Sequence, residues 1–157
     1  MFVGTLFKPF FLNNILTHVT KGLRILYLWL SILGGVKVHF TQEPSNPSYF
    51  NNGSNANLVW DYTDPHNKTQ GIVYSVLVNS AFVKMIFKDS RGVQEHPSIP
   101  SSYKGRVKIE GRATLVIKNV NPGDNTKFKC EMTGSFLHTV ESIVQLIVDG
   151  MYYRLNH

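Results

Sequence analysis

The chain has 157 residues, 43% of them hydrophobic, 12% aromatic and 17% charged, which fits one domain with a buried core and some excess at the ends. Of the 16 basic residues, Lys8, Lys21 and Arg24 precede Val36, which leaves 13 against 10 acidic ones. Those 13 are scattered rather than clustered, which argues against a nucleic-acid partner. No internal repeat or low-complexity tract appears, and the many Val, Ile, Thr, Phe and Tyr residues favour strands. Cys130 is the single cysteine, so no intrachain disulfide can form and the redox compartment stays open.

Residues 1–35 read as a leader. Lys21 and Arg24 flank the apolar run from Ile25 to Leu33, and Gly34-Gly35 follow, the layout of a secretory signal peptide. The run is too short to cross a bilayer, which needs about twenty residues. Cleavage is expected near Gly34 or Gly35, with Ile32 or Leu33 bulkier than usual at the minus-three position. A short uncut anchor and a buried strand are the alternatives. The aromatic stretch before Lys21 is atypical and raises a downstream start codon.

From Val36 to Thr41, Val36, Val38 and Phe40 alternate with polar residues, as in an edge strand, until Pro44 and Pro47 interrupt. Asn51 to Asn55 is a turn, and Leu58, Trp60 and Tyr62 follow at period two. Asp64 to Thr69 reads as a loop, Ile72 to Val78 and Phe82 to Phe87 as strands, and Asp89 to Gly92 as a turn. The stretch through Pro97 and Pro100 to Ser102 reads as an irregular loop, and Arg106 to Ile109 as a strand. Ala113, Leu115 and Ile117 alternate with Thr114, Val116 and Lys118, and Asn119 to Asn125 turns the chain. Phe128, Cys130 and Met132 then oppose Lys127, Lys129 and Glu131, and Ser142 to Val148 forms the last strand. Residues 150–157 are a short tail with no apolar run for a membrane span and no lipid-anchor signal. The chain is either a free secreted domain or part of a longer cell-surface protein.

Leu115, Ile117, Val120, Asp124, Phe128 and Cys130 carry a resemblance. Their spacing is similar to the L-x-I-x-x-V-x-x-x-D-x-A-x-Y-x-C pattern of the immunoglobulin superfamily, and the resemblance covers residues 36–149. It implies an all-β, two-sheet antiparallel Greek-key sandwich. A strand at Phe82–Phe87, between the third strand and the Arg106 strand, points to the variable type. Two departures stand out: Phe128 occupies the corner tyrosine position, and Trp60 the position of the first cysteine. The resemblance therefore implies a core in which the Trp60 indole faces Cys130 in place of a disulfide, with Leu115 and Phe128 beside it. It also implies that Arg106, opening a strand, pairs with Asp124 in the corner.

Little in the sequence carries chemistry. His39, His66, His96 and His138 are far apart and form no metal-ligand spacing, so neither metal nor other cofactor is expected. No nucleophile elbow, phosphate loop or close carboxylate pair is present, and an enzyme is not expected. Asn52-Gly53-Ser54 and Asn67-Lys68-Thr69 are glycosylation sequons in loops. The last strand and its neighbours carry apolar residues on both faces, the mark of a partner surface unless bulges change the parity. Tyr74, Met85, Phe87, Ile143 and Ile147, with Phe136 in a loop, are the candidate partner residues. The resemblance implies a non-catalytic module for extracellular adhesion or immune-type recognition. Its partner would be a protein, either a second copy in a homodimer or another immunoglobulin-like receptor. A soluble secreted binder of carbohydrate or a microbial surface is the alternative.

Overall fold

A computed structural model describes residues 38–64, 69–134 and 138–149. The chain divides into Met1–Gly35 and Val36–His157, and every described residue lies in the second unit. The leader, the tail, Asn67 and Phe136 lie outside the described residues.

Ten strands form among the described residues. They are β1 (His39–Gln42), β2 (Ser48–Asn51), β3 (Ala56–Thr63), β4 (Gly71–Val78) and β5 (Ala81–Asp89). After them come β6 (Gly92–Glu95), β7 (Val107–Glu110), β8 (Ala113–Ile117), β9 (Lys127–Thr133) and β10 (Thr139–Asp149). One sheet has the order β1-β3-β8-β7, and the other β2-β10-β9-β4-β5-β6. The period-two pattern explains the layering. β3 turns Ala56, Leu58 and Trp60 inward and leaves Asn57 and Val59 exposed, and Leu58 pairs with Leu115 on β8. On the facing sheet β9 buries Phe128, Cys130 and Met132, and β10 buries Ser142, Val144, Leu146 and Val148. The expected all-β two-sheet sandwich is therefore present.

Between β1 and β2 the chain passes from one sheet to the other, through the segment that holds Pro44 and Pro47. β2 then runs parallel to β10, whereas all the other pairings are antiparallel. The β4–β5 hairpin turns through Asn79 and Ser80, both at positive φ (48° and 67°), the conformation a two-residue primed turn demands.

Three local readings differ from expectation. Gly92, expected to close a turn, and residues 93–95, expected in the loop that follows it, form β6 on the sheet edge, where all four are exposed, so no buried alternation marks the strand. The strand expected to open at Arg106 begins at Val107. In β5 a bulge changes the parity: Tyr74 pairs with Ile86 but Ser75 pairs with Lys84, so Met85 has no register partner. Met85 and Ile86 are both buried as a result.

Leu58, Trp60, Tyr74, Leu115, Ile117, Phe128, Cys130 and Leu146 are among the side chains that fill the space between the sheets. Each large aliphatic or aromatic group there contributes roughly 1.5–3 kcal/mol by removal from water.

Candidate functional site

The seam between the sheets is closed without a covalent bond. Register sets Tyr74, Cys130 and Ser142 side by side on β4, β9 and β10. Trp60, 1% exposed on the opposite sheet, reaches both neighbours of Cys130. Its ring lies 5.5 Å from that of Tyr74 at 49°, and its Nε1 donates to Ser142 Oγ at 2.9 Å. The Ser142 hydroxyl donates onward to the Glu43 carboxylate, and the Tyr74 hydroxyl donates to the Ala113 carbonyl at 2.7 Å. The indole N–H is thus satisfied within the core. Burial pushes the Cys130 thiol up to about 12, so at neutral pH it is a thiol and not a nucleophile. Tyr74 and Met85 were expected on the partner side, and here the expectation is corrected, since both are fully buried. Tyr74 pairs with the inward-facing Cys130 and shares its face, and Met85 is turned in by the bulge.

At one end of the sandwich a turn of 3-10 helix, Pro122–Asp124, is capped by Asn121, whose side chain accepts from Gly123 N while its own N–H donates to Asp124 at 2.9 Å. Arg106 grips Asp124 with two nitrogens, at 2.7 and 3.3 Å, and also donates to the carbonyls of Ser102, Lys118 and Asn119. The Asp124 side chain is 3% exposed and that of Arg106 24%, so water screens this pair only in part. Tyr103, from the segment before β7, packs edge-on against Phe128 at 5.9 Å, and the Arg106 guanidinium lies 5.7 Å from the centre of its ring. Its ring thus joins Phe128 and Arg106 at the corner. No periodic signal in the surrounding loop marks that role.

The outer face of the six-stranded sheet holds the remaining candidates. Ile143 is 39% exposed, Phe87 and Ile147 are half-buried, and Tyr49 on β2, the register partner of Ile147, is 62% exposed. Val73, Leu77 and Phe82 on β4 and β5 are also half-buried. Phe87 meets the edge of the His96 ring at 6.2 Å. At the centre Lys129 lies 3.2 Å from Glu131, 3.5 Å from Glu141 and 4.9 Å above the Phe82 ring. The sequence shows Lys129 and Glu131 two residues apart on one face, but Glu141 and Phe82 join them only through register.

At the opposite end from the Asp124 corner, Tyr62, Asp64, Thr69, Gln70, Gly71, Ile72, Lys88, Asp89 and Ser90 line an open cavity of about 380 Å³. Asp89 there is bound by Arg91 at 2.7 Å, which holds its carboxyl below the usual range. Asn52 is exposed in the turn between β2 and β3, where Ser54 closes the turn by donating to Asn51 O. Among the described residues no cluster of His, Cys, Asp and Glu could hold a metal, and no helix is long and apolar enough to cross a membrane.

No protein-family model and no curated protein sequence matches this chain. Solved structures do. Murine CRIg superposes with a TM-score of 0.62 at 18% identity, over 73% of this chain and 99% of that one. The first Ig-like domain of human CD48 antigen gives 0.54 at 20% identity, over 72% and 89%. The two tandem V-type regions of VCBP3, a v-region-containing chitin binding protein, give 0.57 at 19%, over 71% of this chain and 45% of that one. The chain has the variable-type immunoglobulin fold. At these identities the likeness is one of fold. In immunoglobulin lettering β4, β5 and β6 are strands C, C′ and C″, β9 is F and β10 is G. Of the candidate partner residues, Phe87, Ile143 and Ile147 therefore lie on the outer face of the GFCC′ sheet. The cavity lies where the B–C loop meets the C′–C″ turn.

Proposed function

We propose that this immunoglobulin domain is a non-catalytic protein–protein recognition module of extracellular adhesion or immune type, and that it engages its partner through the outer face of the GFCC′ sheet. The observation that supports this most is the sheet itself. It has an apolar surface of Val73, Leu77, Phe82, Phe87, Ile143 and Ile147 around the Lys129, Glu131 and Glu141 charges, although its inner face already fills the core. Apolar residues left on the outside of a sheet whose inner face already forms the core mark a partner surface. A domain of residues 36–149, preceded by a signal peptide over residues 1–35 and carrying glycans at Asn52 and Asn67, completes the reading.

The test compares two exposed positions on opposite sheets. Binding of the full chain to a panel of immunoglobulin-like ectodomains, itself included, is measured for the native chain, Ile143→Glu and Val59→Glu. Ile143 is 39% and Val59 36% exposed, so both variants fold. Loss with Ile143→Glu and retention with Val59→Glu is the expected result, and binding that survives Ile143→Glu refutes the face. A second reading, a secreted binder of carbohydrate, is favoured by the cavity, where Tyr62, Gln70, Lys88 and Ser90 offer a ring and polar groups of the kind sugars use. Glycan binding abolished by Gln70→Ala and untouched by Ile143→Glu would select it.

A further inference from the structure

Resting on the carbohydrate reading of the cavity given above, we infer that its ligand is an uncharged sugar held by Thr69, Gln70, Lys88 and Ser90, and that acidic sugars are rejected there. The cavity opens between the two sheets. Tyr62 comes from β3 of one, and Ile72 and Lys88 come from β4 and β5 of the other. Its volume of about 380 Å³ stands at the low end of the roughly 300–1,000 Å³ that small-molecule sites enclose. One polar atom of the wall is left unsatisfied: Thr69 Oγ1 is buried and has no hydrogen-bond partner among the described residues. Buried hydroxyls are as a rule paired, and a ligand hydroxyl, which both donates and accepts, completes this one.

The other groups suit the same chemistry. The Lys88 amine donates to the Gly111 carbonyl at 2.9 Å and the Arg112 carbonyl at 3.3 Å, which fixes it and leaves its third hydrogen for a ligand oxygen. Gln70 and Ser90 are exposed and offer an amide and a hydroxyl. Tyr62 and Ile72 supply apolar surface for the C–H face of a ring, and Arg112 already covers one face of Tyr62 at 4.1 Å. Charge then selects among sugars. Asp89 is neutralised by Arg91 at 2.7 Å, and Arg112 by Asp61 at 3.3 Å. Lys88 and Asp64, one cation and one acid, remain on the wall, so the described residues give the site no net charge. A carboxylate brought into it is unbalanced, whereas a neutral hydroxylated ring meets the amine as acceptor and the acid as donor.

Saturation-transfer NMR and calorimetric titration of the full chain test this with matched sugars: glucose against glucuronic acid, galactose against galacturonic acid and mannose against mannuronic acid. Each pair differs only in the oxidation of one carbon. At least one neutral sugar is expected to bind, with its acidic partner weaker by about fivefold or more. Gln70→Ala weakens that binding about tenfold, and circular dichroism stays native because the side chain is exposed. Asp64→Asn keeps an oxygen for the Thr69 N–H, which now donates to Asp64 at 2.8 Å, but gives the wall a net positive charge. It should narrow the preference for the neutral partner to about twofold or less. An acidic sugar that binds as well as its neutral partner, or a preference unmoved by Asp64→Asn, overturns the inference and leaves the carbohydrate reading standing. No binding by any of these sugars, or binding indifferent to Gln70→Ala, overturns both.

Discussion

At Trp60 a single side chain joins the two sheets by three means: its buried area, its ring contact with Tyr74 and its N–H bond to Ser142. Trp60→Ala removes all three and should cost about 3–5 kcal/mol in urea unfolding. Ser142→Ala leaves the indole N–H buried and unpaired and should cost about 1–3 kcal/mol. Cys130 gives a pH dependence. Its folded pKa is raised to about 12 by burial, so between pH 9 and 12 the unfolded chain has lost the proton that the folded one keeps. Stability is full below pH 9 and falls as pH rises through that window. Burial likewise holds the Tyr74 and Tyr103 phenols above their usual range, which steepens the fall above about pH 10. Denaturant midpoints at pH 7 and at pH 10.5 should differ less in Cys130→Ala than in the native chain. The inward parity of Trp60 and Cys130 is legible in the sequence because unbroken strands alternate strictly. That of Met85 is not, because one extra residue in β5 shifts every side chain after it.

At the scale of elements, the corner between β8 and β9 depends on Asp124. It accepts from two nitrogens of Arg106 and from the Asn121 backbone. Asp124→Ala removes the acceptor of both residues and leaves Arg106 without its counter-charge. Since Arg106 remains a quarter exposed, the cost should be about 2–3 kcal/mol rather than that of a fully buried pair. Tyr103→Ala, which removes the buried ring against Phe128, should cost about 3–5 kcal/mol, read by the same unfolding measurement. The Arg106–Asp124 contact is implied by the resemblance to the immunoglobulin family. The part played by Tyr103 and the existence of β6 are not, because neither sits in a segment with a buried periodic face, and only packing against distant strands assigns them a place.

For the whole molecule, the absence of a covalent link across the sandwich has a direct consequence. Cys130 is free and buried, so the urea midpoint at neutral pH should be the same with and without dithiothreitol, and the native chain should resist alkylation until it unfolds. A midpoint that falls on reduction would contradict the description of the core.

What the sequence alone determined is the set of alternating strands, the corner motif and the lone cysteine, which together specify an all-β sandwich with an uncrosslinked core. Those features are local, and hydrophobic period and turn chemistry are read within a few residues. Which apolar residues remain outside, and which charges come together there, was decided by tertiary structure. Strand neighbours and bulges bring Phe82, Lys129 and Glu141 onto one face from three separate strands, and no spacing along the chain encodes that adjacency.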